Sequence, residues 1–294
     1  DEYTGIYCAS SEGIIYVNNN TITANTSDWM SAYGIYLEDC YGSPSDPVQV
    51  EHNTIEIANS SDGSTYGIYM YGLDYSLVTD NNITTTSING YNAPSYNVSS
   101  PNSNINKNTI TSTADWGTTE LALLDDCADS YFGENELNIT GGQDGGVYIY
   151  GIMSGSDNST LYKNNLNITG TSTGQDIRNI MSQDASNCVV RKNTVNITAE
   201  YRLENYVSYY TTVAIADSNT FTLTDNYTSW DGNLENYFTY GSTGGVFDNN
   251  TIASVSSASM INMYAEGATD VVISNNSIRG ELVNNFNWQC YGLY

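Results

Sequence analysis

Residues 48–57, VQVEHNTIEI, and residues 33–37, YGIYL, show most clearly which fold this sequence favours. Apolar and polar side chains alternate in each run, which is the period of a β-strand with one buried face. A polar loop with two prolines separates the segments, and the phrase Asn53-Thr54-Ile55 opens the last run. The pattern predicts three short strands separated by turns. The side chains predicted to share the buried face are Ile35, Leu37, Val48, Val50, Ile55 and Ile57.

The Asn-Thr-Ile phrase, or a close variant of it, returns along the whole chain. The gaps between copies run from 24 to 33 residues, and a period of that size is typical of one supersecondary unit stacked on copies of itself. We therefore predict an all-β fold: a parallel β-helix or stacked β-arch solenoid of about ten coils of about 28 residues, in a single domain over residues 1–294. The phrase is anchored at Asn20, Asn53, Asn81, Asn108, Asn135, Asn164, Asn193, Asn226, Asn250 and Asn276.

Two roles are open to the anchor asparagines. Asn tolerates the left-handed backbone conformation of tight turns, so the anchors are expected to be turn formers. Stacked Asn amides also hydrogen-bond along the axis of parallel in-register strands, so the same residues are candidates for a ladder. Asn226 is excluded from the ladder candidates because no aliphatic residue follows it. The other nine anchors are all included.

Charge and composition exclude several classes of protein. Seven basic residues oppose 33 acidic ones, for a formal net charge of -26, so nothing on the chain could neutralise the phosphates of a nucleic acid. No apolar run reaches the length of a membrane span. The first residue is Asp, which favours an exported protein whose leader has been removed. We expect an extracellular or cell-surface location.

The five cysteines show no spacing typical of a zinc site. An odd number in an exported chain leaves one thiol without an internal partner. Cys8 and Cys290 lie beside the first and last predicted strands, and we expect them to form disulfides between subunits. The remaining cysteines are Cys40, Cys127 and Cys188.

Twelve Asn-X-Ser/Thr sequons occur in this Asn-rich chain. Many of them arise by chance in a sequence so rich in Asn, Ser and Thr, so glycosylation is expected at only some. The glycosylation candidates are Asn19, Asn25, Asn59, Asn97 and Asn158.

No arrangement of side chains predicts catalysis or a bound cofactor. The single histidine, His52, directly precedes an anchor, as do Lys107, Lys163 and Lys192, and this periodic placement is typical of a solvated turn. Among the acidic candidates Asp125, Asp126, Asp80, Asp225 and Asp248, the last three are expected to form an acidic strip. No calcium-loop spacing is present, so we predict no specific metal site and leave room only for diffuse binding of divalent cations.

A series of tyrosines follows the inward residue of the first strand in each coil. These side chains should point outward, one above another, either as a sugar-binding platform or as cross-strand packing that stiffens the sheet. Packing is the favoured interpretation. The series consists of Tyr7, Tyr36, Tyr69, Tyr150 and Tyr294.

The two ends of the predicted solenoid carry strand-like sequence and no capping segment. An uncapped end is a cross-section of unpaired backbone groups. The last four residues, YGLY, repeat the opening of a coil, so a second copy could continue the ladder. We expect the chain itself to be the main partner, in a head-to-tail or edge-to-edge homopolymer.

These YGIY strand openings and Asn-Asn-Thr-Ile turns, in an acidic, Lys-poor and Tyr-rich chain, resemble the repeat-containing surface proteins of methanogenic archaea. That family includes adhesin-like β-helix proteins and subunits of proteinaceous sheaths. The resemblance implies a cross-β, disulfide-reinforced tube outside the cell.

Three functions follow from these observations. The leading hypothesis is a structural subunit, without enzymatic activity, of an extracellular filament, tube or sheath. The alternative is a cell-surface adhesin that binds glycans through its Tyr-rich face. A third is a polysaccharide lyase or hydrolase, which the scarcity of clustered acid and base groups disfavours.

Overall fold

The computed structural model describes residues 3–27, 29–88, 92–114, 119–141, 147–171, 176–226, 233–257, 259–283 and 290–291. Throughout these ranges the regular structure is β-strand, and no helix occurs. A helical membrane crossing is accordingly not found in this part of the chain. The predicted all-β solenoid is confirmed, and the number of coils is close to the predicted ten.

The first of three parallel sheets contains the YGIYL segment and its equivalents. Its neighbours pair in parallel, each with the strand one coil away. In order along the axis it consists of β1 (Tyr3–Ala9), β4 (Ala32–Glu38), β7 (Thr65–Tyr71), β10 (Asn92–Val98), β13 (Thr119–Asp125), β16 (Val147–Ser154), β19 (Asp176–Ile180), β23 (Arg202–Tyr206), β26 (Asn233–Tyr240), β29 (Ser259–Glu266) and β32 (Cys290–Tyr291), with β20 (Ser182–Gln183) also paired to β16.

The second and third sheets have ten strands each and complete the coil. The second consists of β2 (Tyr16–Asn18), β5 (Val48–Glu51), β8 (Ser76–Thr79), β11 (Asn104–Asn106), β14 (Tyr131–Gly133), β17 (Thr160–Tyr162), β21 (Val189–Arg191), β24 (Ile215–Asp217), β27 (Val246–Asp248) and β30 (Val272–Ser274). The third consists of β3 (Thr21–Thr26), β6 (Thr54–Asn59), β9 (Asn82–Ser87), β12 (Thr109–Ala114), β15 (Glu136–Gly141), β18 (Asn165–Gly170), β22 (Thr194–Ala199), β25 (Thr220–Asp225), β28 (Thr251–Ser256) and β31 (Ser277–Leu282).

The core runs along the axis as columns of apolar side chains. All six residues predicted to share the buried face of one coil are at most 1% exposed, which confirms that prediction. In-register pairing places the apolar residue of each Asn-Thr-Ile phrase directly above its equivalent. This column consists of Ile22, Ile55, Ile83, Ile110, Leu137, Leu166, Val195, Phe221, Ile252 and Ile278.

Gly34 interrupts the alternation that the sequence predicts for β4. A Cβ atom there would lie 2.4 Å from Cγ2 of Ile55 and 2.5 Å from the carbonyl oxygen of Gly67, so no other residue fits. Tyr33 and Tyr36, on either side of it, pack their rings together 5.1 Å apart. The close approach of the first and third sheets therefore requires glycine in the YGIY phrase.

The corners of the coil are built from single residues in the left-handed backbone conformation. In the inner coils the left-handed residue is followed by a buried one. At the corner that precedes the second sheet, the stacked left-handed residues are Tyr75, Asn102, Asp129, Asn158, Asn187, Val213, Gly244 and Asp270. Val213 differs from the other residues at this corner because its side chain is β-branched. Such a side chain is strained at the φ of 53° that Val213 adopts.

We predict that Val213→Asn stabilises the fold by about 1 kcal/mol, because Asn tolerates the left-handed conformation that strains valine. Asn102, Asn158 and Asn187 already occupy the equivalent corner. The measurement is the free energy of unfolding in urea. The matched control is Val246→Asn on β27, where a valine of similar exposure lies in a strand. Equal effects of the two substitutions would show that strain at the corner is not the cause.

Candidate functional site

A continuous ladder of asparagine side chains lies at the corner between the second and third sheets. Each anchor Asn points its Oδ1 at the anchor before it in the chain. That Oδ1 accepts two hydrogen bonds, from the backbone N–H and the Nδ2 of the preceding anchor, at 2.9 to 3.1 Å. The ladder links Asn20, Asn53, Asn81, Asn108, Asn135, Asn164, Asn193, Asn219, Asn250 and Asn276.

Each Asn of the ladder is called a rung, and the inner rungs run from Asn53 to Asn250. The second Nδ2 hydrogen of each inner rung points back toward the second sheet. Nδ2 of Asn135, for example, donates to the carbonyl of Ile105 at 3.1 Å, and Nδ2 of Asn164 donates to that of Phe132 at 2.9 Å. One side chain therefore joins three successive coils. The inner rungs are only 1 to 2% exposed, and a buried amide left without partners would cost about 1–3 kcal/mol.

The predicted turn-forming role of the anchors is wrong in one respect. The left-handed residue at this corner is the one before each anchor, while the anchor itself turns inward to the ladder. These preceding residues are chemically diverse and exposed, because their side chains point to solvent. They are Asn19, His52, Asp80, Lys107, Glu134, Lys163, Lys192, Ser218, Asn249 and Asn275.

Asn226 is not an anchor. It follows β25, is exposed, and its backbone N–H donates to the carbonyl of Ala199. Asn219 takes the place in the ladder, and Phe221 two residues later is the apolar residue of the phrase. With this correction the gaps between rungs run from 26 to 33 residues.

The ladder has a direction, and its two outer rungs are complementary. Within the described residues, Oδ1 of Asn20 accepts no hydrogen bond, whereas its donors already point to Asn53. At the other end, Oδ1 of Asn276 accepts hydrogen bonds from the backbone N–H and Nδ2 of Asn250, and Nδ2 of Asn276 donates to the carbonyl of Phe247. The backbone N–H of Asn276 donates to no described residue. One end presents an acceptor and the other a donor.

Three cysteines are buried corner residues. Cys40 and Cys127 follow left-handed residues after first-sheet strands, and Cys188 follows one before a second-sheet strand. At the corner after the first-sheet strands, neighbouring coils carry Ser100 and Ser156 in the position of Cys40 and Cys127. Cysteine therefore serves there as a small residue that faces inward. Burial raises the pKa of Cys127 to about 12 and that of Cys188 to about 11. These thiols are poor nucleophiles at neutral pH.

Cys8 and Cys290 differ from the corner cysteines. Cys8 lies on β1, is partly buried, and its Sγ is 3.6 Å from Sγ of Cys40 in the next coil. Cys290 pairs through its backbone with Met260, and its side chain lies outside the described part. The disulfide predicted between Cys8 and Cys290 of different subunits stays a prediction.

The five glycosylation candidates fall into different environments. Asn19 and Asn25 are exposed, and Asn158 is exposed with its Nδ2 donating to Asp129. The prediction that Asn59 is a glycosylation site is wrong. Its side chain is 1% exposed and its Nδ2 donates to the carbonyl of Met30, so the folded chain has no room for a glycan there. The side chain of Asn97 lies outside the described residues.

The acidic strip expected from Asp80, Asp225 and Asp248 does not form. Asp225 is 2% exposed and accepts a hydrogen bond from Ser256, since it precedes Asn226 and not a ladder residue. Hydrogen bonds from Ser274 and Asn275 lower the pKa of Asp248 on the outer face of β27. In the described ranges no three His, Cys, Asp or Glu side chains lie close enough to hold a metal ion. Asp125 is the last residue of β13, and Asp126 is the left-handed residue of the turn that follows.

Tyrosines line the outside of the first sheet in two groups. Tyr7, Tyr36 and Tyr69 lie one above another as predicted, with ring centroids 5.3 and 5.0 Å apart. Tyr33 and Tyr66 stack beside them, 4.7 Å apart and 6° from parallel. Tyr150 and Tyr294 lie outside the part whose side chains are described.

The second group was not predicted from the sequence. Tyr206 stacks on Tyr237 at 4.5 Å, and Tyr209 on Tyr240 at 5.2 Å. The Arg178 guanidinium lies 5.1 Å over the Tyr206 ring. In the sequence, this second tyrosine group is marked by the tetrapeptide LENY, present at residues 203–206 and again at 234–237. These tyrosines cover one another, since Tyr206 is only 4% exposed.

The same LENY phrase creates a second, shorter Asn ladder inside the core. Nδ2 of Asn179 donates to Oδ1 of Asn205, and Nδ2 of Asn205 donates to Oδ1 of Asn236, both at 2.6 Å. Nδ2 of Asn236 then donates to the carbonyl of Asn262 at 2.8 Å. Polar side chains therefore also link β19, β23 and β26 of the first sheet, which pair in register.

Comparisons of this chain with known proteins found no match. No protein-family model matches it, no curated protein matches it, and no solved structure matches it. The function proposed below therefore depends on the ladder, the outermost strands, the net charge and the tyrosines.

We predict that Asn135→Asp lowers the free energy of unfolding by about 3–5 kcal/mol at neutral pH. A carboxylate cannot donate to Asn164 or Ile105, and it would be buried without a cation. The loss should shrink at acid pH, where the introduced carboxyl is protonated and donates again. The control is Asn104→Asp on the exposed face of β11, where Asn104 already acts as an acceptor from Asn106. Equal losses in the two variants would contradict a stabilising ladder.

A second prediction concerns the tyrosine group. Burial raises the pKa of Tyr206 to about 12, whereas an unfolded tyrosine ionises near pH 10. The phenol therefore stabilises the fold fully below about pH 10, and this stability is lost as the pH rises toward 12. In urea titrations Tyr206→Phe should lose less stability across this interval than the wild type, while Tyr16→Phe, with its exposed ring, should follow the wild type. Parallel curves for all three would refute the assignment.

Proposed function

We propose that this chain is a structural subunit that stacks end to end with copies of itself into an extracellular filament, tube or sheath. The observation that carries the proposal is the complementarity of the outer rungs. Oδ1 of Asn20 can accept from the backbone N–H and Nδ2 of Asn276 in a second copy, as each inner rung does from the rung before it. The occupant of the open rung is thus a second copy of this chain.

The outermost strands offer the same complementarity in their backbones. On β3, the carbonyls of Asn20 and Thr26 bond to the second coil, so the N–H groups of the alternate residues Thr21, Thr23 and Asn25 face the other way. They match the carbonyls of β31 in an incoming copy. The two-residue strand β32 pairs with β29, where β1 of an incoming copy would pair. Stacking of the two copies therefore requires β32 to move away from β29.

Charge and surface chemistry are compatible with this role. The formal net charge of -26 keeps free copies apart at low ionic strength, so assembly should be favoured by salt or divalent cations that screen it. Among the described residues, five of the seven basic side chains of the sequence pair with carboxylates, and Arg191 pairs with Asp217 at 2.9 Å. Diffuse cation binding remains part of the proposal.

The tyrosine face supports the structural role better than the adhesin alternative. Aromatic rings bind sugars through a free ring face, but Tyr33, Tyr66, Tyr206 and Tyr237 turn their faces to one another. Stacked tyrosines at neighbouring coils stiffen the sheet along the axis. The extracellular location, the absence of enzymatic activity and the resemblance to archaeal surface proteins stay predictions.

We predict that the 294-residue chain forms fibres with a ~4.8 Å axial repeat and that Thr23→Pro abolishes them. Proline removes an N–H that bonds to nothing within the first coil, and it is tolerated on edge strands. The control is Thr23→Val, which keeps the N–H and should assemble like the wild type. Electron microscopy and sedimentation velocity give the readout, with circular dichroism to verify folding.

Two results would overturn the proposal. The first is a folded wild-type chain that remains monodisperse at all salt concentrations. The second is assembly of Thr23→Pro as readily as Thr23→Val.

A further inference from the structure

Cys8 and Cys40 form the one pair of neighbouring thiols among the described side chains. Their sulfur atoms lie 3.6 Å apart across two coils, and Sγ of Cys40 also lies 3.5 Å from the carbonyl oxygen of Cys8. Cys127 and Cys188 instead donate to carbonyls of Asp125 and Ser156. The first two cysteines are therefore distinguished by geometry and not by spacing in the sequence.

The two thiols differ in accessibility. Cys40 is fully buried at its corner, while Cys8 is partly exposed on β1. The first coil is bonded to a neighbour on one side only in the described structure, and Tyr3, Tyr7 and Ile14 of this coil are exposed. The exposed part of Cys8 is accessible to a small disulfide reagent, and a bond requires the two sulfur atoms to close from 3.6 Å to about 2.05 Å.

We propose that Cys8 and Cys40 are a redox site that closes into an intramolecular disulfide by exchange with a low-molecular-weight disulfide such as oxidised glutathione. The thiolate of Cys8 attacks one sulfur of the reagent, forming a mixed disulfide and releasing one thiol. The thiolate of Cys40 then attacks the sulfur of Cys8 and releases the second thiol. Two protein thiols are oxidised, one reagent disulfide is reduced, and both protons leave on the released thiols.

The order of the two steps follows from the environment of Cys40. Burial raises the pKa of Cys40 to about 11, so its thiolate is scarce at neutral pH. The second step is therefore the slow one, and it should accelerate as the pH rises. A mixed disulfide on Cys8 is the expected intermediate.

The closed disulfide would join the first coil to the second and pin the edge at which a further copy is proposed to stack. It would also occupy Cys8, so that Cys8 would not be available for a bond to Cys290 of another molecule. The redox site itself does not depend on assembly, because both thiols belong to one chain.

The test treats the folded chain with oxidised glutathione, blocks remaining thiols, and digests after glutamate. This cleavage separates residues 3–12, which hold Cys8, from residues 39–51, which hold Cys40. The expected product is the two peptides linked, with a loss of about 2 Da relative to the free thiols. Cys40→Ser should instead retain one glutathione on Cys8, and Cys127→Ser should behave like the wild type.

Each other outcome counts against the proposal. Recovery of the two peptides unlinked from the wild type, at neutral and alkaline pH alike, would overturn it. So would linkage of residues 3–12 to the peptide that contains Cys290. Because the wild-type digest decides by itself, poor folding of a variant does not obscure the result.

Discussion

The fold depends on the satisfaction of buried asparagine amides along one corner of the solenoid. Each inner rung uses its Oδ1 for two hydrogen bonds and its Nδ2 for two more, so a slip of one residue would leave several buried polar groups unpaired. Hydrophobic columns favour stacking but tolerate shifts, since burial is not directional. The ladder is directional, and it therefore sets the register that the aliphatic column and the third sheet follow.

This constraint explains where the coils vary. Rungs are separated by 26 to 33 residues, yet the third-sheet strand after each rung always pairs in register. The differences in length are taken up elsewhere, as in the loop with Pro44 and Pro47 between β4 and β5. Loops on the surface lengthen at small entropic cost, whereas a rung cannot move.

Much of the fold could be predicted because period and alternation are local signals, as residues 33–57 illustrate. The left-handed residues could not be identified by type: His52, Lys107 and Glu134 occupy the position because their side chains face solvent. Asn219 was missed because the buried residue after it is Phe221 and not an aliphatic one. The approach of Cys8 to Cys40 depends on how a corner folds across two coils, which spacing in the sequence does not encode.

Side-chain amide hydrogen exchange, followed by NMR on selectively labelled Asn, measures how firmly the ladder holds the register of the coils. If the ladder holds the register, the Nδ2 hydrogens of Asn81, Asn108 and Asn135 should exchange as slowly as the backbone amides of the third sheet. The exposed amide of Asn104 should exchange rapidly in the same sample. Rapid exchange at the inner rungs, in a chain whose backbone amides remain protected, would show that the ladder does not hold the register.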